Sequence, residues 1–167
     1  MLNFKNILVP TDFSMNSVQA LQFGQYFAKQ SRAYLHVLHI MSPLMKRYTD
    51  RAGDEFYRSE QSKLLDAEEE LRRFINKVSF SSVEVVEAIR TGKPFEQIMS
   101  YAKDNQIDLI VIASHGWTGL SHLITGSVAD KVLRNSDIPT ICVKSNIPLL
   151  EKDKAAFRNP FAENWVG

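Results

Sequence analysis

Three glycines fall within eleven residues, at Gly116, Gly119 and Gly126, and Ser127 follows the last of them. The whole chain has only seven glycines, so the cluster asks for a chemical reason. Glycine lets backbone amides approach a ligand closely and adopt positive φ. The pattern that begins at Ser127 and Val128 is helical, so the N–H groups of Gly126, Ser127 and Val128 lack intrahelical partners, and the helix dipole favours an anion beside them. That arrangement suits a phosphate. A purely structural reading has Ser127 as the helix cap, with Asp130 three residues on completing a capping box. Capping explains Ser127 but leaves Gly116 and Gly119 without a purpose, so the phosphate reading is preferred.

A second chemically equipped stretch is Pro10-Thr11-Asp12. Asp12 reads either as a turn residue that helps to start the first helix, or as a carboxylate that accepts hydrogen bonds from ribose or base donors or holds Mg²⁺ bound to phosphates. Catalytic machinery is not evident. No nucleophile–base pair follows from spacing, and no metal-ligand string such as H-E-x-x-H occurs. His36 and His39 fall inside a strand pattern, where packing is the ordinary role; His115 lies in the glycine loop within reach of a ligand, and His122 sits on a short apolar turn. Gly92-Lys93 mimics half of a P-loop, but the motif's first glycine falls on Glu87 and its Ser/Thr on Pro94.

These residues need a scaffold to meet. Lys5–Val9 reads as a buried strand ended by Pro10, followed by a turn over Thr11–Ser14 with Ser14 as N-cap. Helical spacing runs from Asn16 to Arg32 through Ala20, Leu21, Gly24, Phe27 and Ala28. Tyr34–Ile40 is a second strand, and Met41–Asp54 reads as a mixed, mobile insertion. Glu55–Val78 is a long helix with Leu64, Ala67, Leu71, Phe74, Ile75 and Val78 on its apolar face. Val83–Ile89 is a third strand, and Thr91–Pro94 a turn that places Pro94 first in a helix carrying Phe95, Ile98, Met99 and Ala102. Asp108–Ala113 is strand four, Val128–Asn135 a helix with Val132 and Leu133 inward, and Pro139–Val143 strand five.

Strands alternating with helices predict an α/β fold with a parallel sheet covered on both faces. In such a sheet, ligands bind beyond the C-terminal strand ends where the strand order reverses. If strands one and four are neighbours, the Pro10–Asp12 loop and the Ala113–Ser127 loop face each other across one crevice.

Length and composition bound the rest. The 167 residues, 44% hydrophobic and 23% charged, suit one globular domain. A net charge of +1 recommends neither nucleic acid nor an anionic membrane as a partner. The single Cys142 excludes an internal disulfide, no apolar run approaches a bilayer span, and no signal peptide is legible, so the expectation is a cytoplasmic protein. The tail carries Phe157, Phe161 and Trp165 at four-residue spacing, which fits a short terminal helix docked on the body or an arm that reaches a partner subunit.

Taken in order, NILVPTDFS, LHVLHI, TGKPFEQIM, DLIVIASHGWTGLSHLITGSVADKVL and PTICVK resemble the universal stress protein family, within the larger group of adenine-nucleotide α hydrolases. The likeness covers residues 3 to 146, which divides the chain into a family-like α/β domain over 1–146 and an aromatic tail over 147–167. The resemblance implies a Rossmann-like fold of five parallel strands in the order 3-2-1-4-5. The ATP-binding branch of that family has the loop motif G-x2-G-x9-G-[ST]. Here the second glycine is Gly116, the last pair is Gly126-Ser127, and the first glycine is replaced by Ala113. Trp117 stands where relatives often have Arg or Lys.

By the same resemblance the ligand is ATP, ADP or AMP, with Mg²⁺ reached through the phosphates. Asp12 would contact the adenosine part, the backbone of Ile40 would read the adenine edge, and Ser127 and Val128 would offer amides to the phosphates. The role implied is a stress-response regulator or sensor with little or no turnover. The resemblance also implies a homodimer through strand five, Thr140, Ile141, Cys142 and Val143, and an apolar edge strand guarded only by Lys144 invites such pairing on physical grounds. Two other readings stay open: a nucleotide-free dimeric interaction module of the same fold, and a receiver-like domain. The receiver would need a phosphoacceptor Asp after strand three, where Ile89-Arg90-Thr91 stands.

Overall fold

Strand and helix alternate along the chain as β1 (Asn6–Thr11), α1 (Met15–Ser31), β2 (Tyr34–Met41), α2 (Glu60–Ile75), β3 (Val85–Thr91), α3 (Pro94–Asp104), β4 (Leu109–Ala113), α4 (Ser127–Asn135) and β5 (Thr140–Val143). The computed structural model describes residues 3–41, 60–78, 82–114 and 127–144. The five strands form one parallel sheet in the order β3-β2-β1-β4-β5. The Met41–Asp54 insertion apart from its first residue, the start of the expected long helix at 55–59, and the aromatic tail lie outside the described residues.

The strand sequences explain the two-faced packing. Successive side chains point to opposite faces, so a strand covered on both sides is apolar throughout. Ile7, Val9, Leu35, Val37, Leu109 and Val111 join one core, where α1 contributes Val18, Leu21 and Ala28 and α2 contributes Leu71, Phe74 and Ile75. Leu8, Leu38, Ile110 and Ile112 join the other, with Ile98, Tyr101 and Ala102 from α3 and Ala129 and Val132 from α4. Gly24 lets α1 sit close to the first face: a Cβ there would lie 2.5 Å from Val9 Cγ2 and 3.1 Å from Leu35 Cδ1.

At the N-terminal ends of the strands, polar groups lock the central pair. Asp108 Oδ2 accepts the amides of Lys5 at 2.6 Å and Asn6 at 2.9 Å, and the Asp108 amide donates to the Asn6 carbonyl at 2.8 Å. Beside them, His36 Nδ1 pairs with the Tyr101 hydroxyl at 2.9 Å and His36 Nε2 with Asn6 Oδ1 at 3.4 Å. Because the Asn6 oxygen only accepts, Nε2 carries the proton and the Tyr101 hydroxyl donates to Nδ1.

Several sequence expectations need correcting. Pro10 does not end β1, which continues through it to Thr11. Leu133 is 39% exposed, and it is Ala129, one turn back, that shares the inner face of α4 with Val132. Val128, Val132 and Ala129 lie within about 100° of one another around the helix and pack on the same core, which leaves Leu133, about 100° beyond Val132, at the margin of that face. Leu64 is likewise 38% exposed at the start of α2, while Ala67, Leu71, Phe74, Ile75 and Val78 are buried as expected. β3 starts at Val85, two residues later than the apolar pattern indicates. Asp130 turns its carboxylate to Arg134, whose Nε lies 2.9 Å and 3.0 Å from the two oxygens.

Candidate functional site

The sheet's strand order reverses between β1 and β4: from β1 the chain goes to β2 on one side, and β4 later takes the other. The two contacts of β1 are unequal. Against β2 the register runs without interruption from Asn6↔Tyr34 to Thr11↔His39. Against β4 it holds only Ile7↔Leu109 and Leu8↔Ile110, although the strands run on to Thr11 and Ala113. Pro10 has a direct part in this. Asn6 turns both its amide and its carbonyl toward Asp108, the residue before β4, and Pro10, an even number of residues on, turns the same way without an N–H to donate. The hydrogen-bonded ladder therefore ends short of the strands' C-terminal ends, at the strand-order switch point where the ligand crevice of an open parallel sheet is expected.

One lip of the crevice is the β1–α1 turn. Thr11 Oγ1 accepts the amide of Phe13 at 3.0 Å, and Phe13 sits at φ 65°. A left-handed conformation is uncommon for a bulky side chain and persists where neighbours over-determine it. Here the Phe13 ring stacks on His39 with centroids 4.0 Å apart and rings 22° from parallel, and it also meets Phe74 at 5.7 Å. Asp12 Oδ1 accepts the Ser14 amide at 3.1 Å and the Ser17 hydroxyl at 2.6 Å. Ser14 is the N-cap of α1, and its Oγ accepts the Ser17 amide at 3.3 Å.

His39 braces the same turn from β2. Its Nδ1 lies 2.9 Å from the Thr11 carbonyl, an atom that only accepts, so Nδ1 carries the proton. Burial lowers the pKa of His39, opposed by its bond to the Thr11 carbonyl and by the negative charges of Glu70 and Asp12. The imidazole is therefore neutral at pH 7, and its role is to hold the Thr11 carbonyl. Ile40, next along β2, stands in register with Arg90 of β3.

The other lip follows β4. Ala113 pairs with Val143, and the fully buried Ser114 donates its amide to the Val143 carbonyl at 2.8 Å. Ser127 and Val128 open α4. That helix joins the parallel strands β4 and β5, so it runs back along the sheet and its N-terminal end lies on the crevice side.

Of the residues expected from sequence to form the site, Pro10, Thr11, Asp12, Ile40 and Ala113 thus gather at the C-terminal ends of three adjacent strands, with Ser127 and Val128 at the end of α4 that faces the same edge. His115, Gly116, Gly119 and Gly126 lie outside the described residues, as do Trp117 and His122. The structure adds Phe13, Ser17 and His39 to the turn. The spacing of Asp12, Ser14 and Ser17 is a legible signal for a hydrogen-bonded helix start, whereas nothing local marks a phenylalanine for positive φ. Among the described residues no group of three or more His, Cys, Asp or Glu side chains could hold a metal ion, and no helix is long and apolar enough to cross a membrane.

The sequence pattern of the universal stress protein family matches residues 3–144, which spans the whole of the described fold. The chain belongs to the universal stress protein family. Among family members, universal stress protein MJ0577 of Methanocaldococcus jannaschii is 27% identical over 154 residues, covering 84% of this chain and 95% of the relative. The solved structure of MJ0577 superposes with a TM-score of 0.68 and covers 87% of this chain and 99% of that one. Two more distant members share the fold: one from Archaeoglobus fulgidus, solved in complex with dAMP, at 21% identity, TM-score 0.58, covering 86% and 100% of the two chains; and one solved in complex with cAMP, at 21% identity, TM-score 0.55, covering 86% and 98%.

Proposed function

We propose that this universal stress protein binds ATP or a related adenine nucleotide in the crevice between the loops after β1 and β4, and that the nucleotide marks its state in a stress response with little or no turnover. The observation that supports the reading is the early end of the β1–β4 ladder at Leu8 and Ile110, at the strand-order switch point that has Asp12 and the amide end of α4 beside it. The unpaired amides of a helix start suit a phosphate, and the strand-end backbone near Ile40 suits an adenine edge. Family members solved with cAMP and dAMP support an adenine ligand in this fold. Mg²⁺ would arrive with the phosphates, because among the described residues no group of three or more His, Cys, Asp or Glu side chains could hold it alone. A nucleotide that prefers one conformation or assembly shifts that population, which is all a sensor requires. The assembly we propose is a homodimer through the β5 edge, Thr140 to Val143, whose first three residues are half-buried in the single chain.

The experiment is an ATP titration by calorimetry, with and without Mg²⁺, on protein stripped of co-purified nucleotide. Binding that is lost in Asp12→Ala and in Gly126→Val is the expected result. A folded wild-type protein that takes up no adenine nucleotide would reject the site and leave a nucleotide-free interaction module as the reading to pursue.

A further inference from the structure

We infer that Ser17, a residue of α1 with no place in the glycine motif, is the positioning residue of this nucleotide site: its hydroxyl fixes the orientation of the Asp12 carboxylate. The inference rests on the site proposed above and concerns how that site is held.

The geometry is a closed set of hydrogen bonds. Ser17 is buried and directs its hydroxyl to Asp12 Oδ1 at 2.6 Å, a distance typical of a charge-assisted O–H···O⁻ bond. With its proton used there, Ser17 Oγ can only accept from Ser14 Oγ, 3.2 Å away, so the Ser14 hydroxyl donates to Ser17. The ring closes with the Ser17 amide on Ser14 Oγ at 3.3 Å and the Ser14 amide on Asp12 Oδ1 at 3.1 Å. The ring thus brings two donors, the Ser17 hydroxyl and the Ser14 amide, to one carboxylate oxygen.

Capping does not require this bond. Ser14 alone caps α1, and its Oγ would accept the Ser17 amide whether or not Ser17 had a hydroxyl. What the hydroxyl adds is a second anchor on Asp12 from within the helix, one turn away from the loop. The χ2 torsion of Asp is broad, and each donor fixed on the carboxylate narrows it. Held from two directions, the carboxylate presents one plane to the crevice and loses little freedom when a ligand donor docks.

The test compares Ser17→Ala, Ser14→Ala, Asp12→Ala and Ser17→Ala/Asp12→Ala by ATP calorimetry, with urea melts on each. Ser14→Ala weakens the cap but keeps both donors to Asp12, so it reports what a looser helix start does by itself. The expected result is that Ser17→Ala loses about three- to tenfold in ATP affinity, the cost of ordering one freed side chain on binding, and Ser14→Ala less than about twofold. In the Asp12→Ala background, Ser17→Ala should have no further effect on affinity. If wild type binds, Asp12→Ala weakens it and Ser17→Ala does not, the positioning role is wrong while the site stands. Equal losses in Ser14→Ala and Ser17→Ala would also overturn it, since both would then act through the helix start. Failure of wild type to bind rejects the site and this inference with it.

Discussion

Replacing Gly24 with alanine tests the close approach of α1 to the sheet, on which the position of Ser14 and Ser17 depends. In an unpacked helix the change stabilises by about 1 kcal/mol, because glycine is the poorer helix former. Here the new methyl carbon would lie 2.5 Å from Val9 Cγ2 and 3.1 Å from Leu35 Cδ1. Val9 is fully buried in a central strand and is β-branched, so its γ-carbon cannot swing aside as the end of a long chain could. Overpacking of this kind costs about 2–3 kcal/mol, which outweighs the propensity gain and leaves a net loss of about 1–2 kcal/mol. Urea unfolding followed by circular dichroism reads this directly as a lower midpoint at unchanged m-value. A double-mutant cycle with Val9→Ala identifies the cause: removing the γ-carbons should make Gly24→Ala neutral or stabilising, a coupling of about 1–3 kcal/mol. Additive effects, or a Gly24→Ala protein as stable as wild type, would refute the packing argument.

Three further outcomes are expected. Burial lowers the pKa of His36 and of His39, so the unfolded chain binds more protons than the folded one; stability is full above the ordinary imidazole value near 6.5 and falls as pH drops below it, a slope that urea midpoints between about pH 7.5 and 5.5 measure and that His39→Gln should reduce. Asp108→Ala removes the shared acceptor of the Lys5 and Asn6 amides and should cost about 1–2 kcal/mol in the same assay, with ATP affinity unchanged because the clamp sits at the opposite end of the strands from the crevice. Ile141→Lys places a charge on the proposed β5 pairing edge, and sedimentation velocity should show a dimer for wild type and a monomer for the variant.

The corrections to the sequence reading share a cause. A fully buried strand is apolar throughout, so its ends are marked only by turn residues, and Pro10 looks like such a mark. It is tolerated within β1 because it faces the side on which the β4 ladder has already stopped, a fact about strand neighbours that no local pattern contains. Leu133 has the same lesson on a helix. Over nine residues of α4 the apolar positions are few, and which of Ala129, Val132 and Leu133 lie inward depends on how the helix is rotated against α3 and β5.

The chemistry of the turn divides in the same way. Ser14 as a cap and Asp12 as a turn carboxylate are legible because their donors are two and three residues away. The brace from His39 to the Thr11 carbonyl joins residues 28 apart in sequence, and it exists only because β1 and β2 lie side by side in this register.

The sequence by itself therefore determined the alternation of strands and helices, the apolar faces of most elements and the family, and it supplied the candidate residues of the site, since each of these is written in spacings of a few residues or in an ordered set of motifs. The tertiary structure decided the early end of the β1–β4 ladder, the outward turn of Leu133, the fit of α1 over Val9 at Gly24 and the bracing of the Thr11–Phe13 turn by His39. These depend on which elements become neighbours and at what distance, and packing between distant segments, not local propensity, sets both.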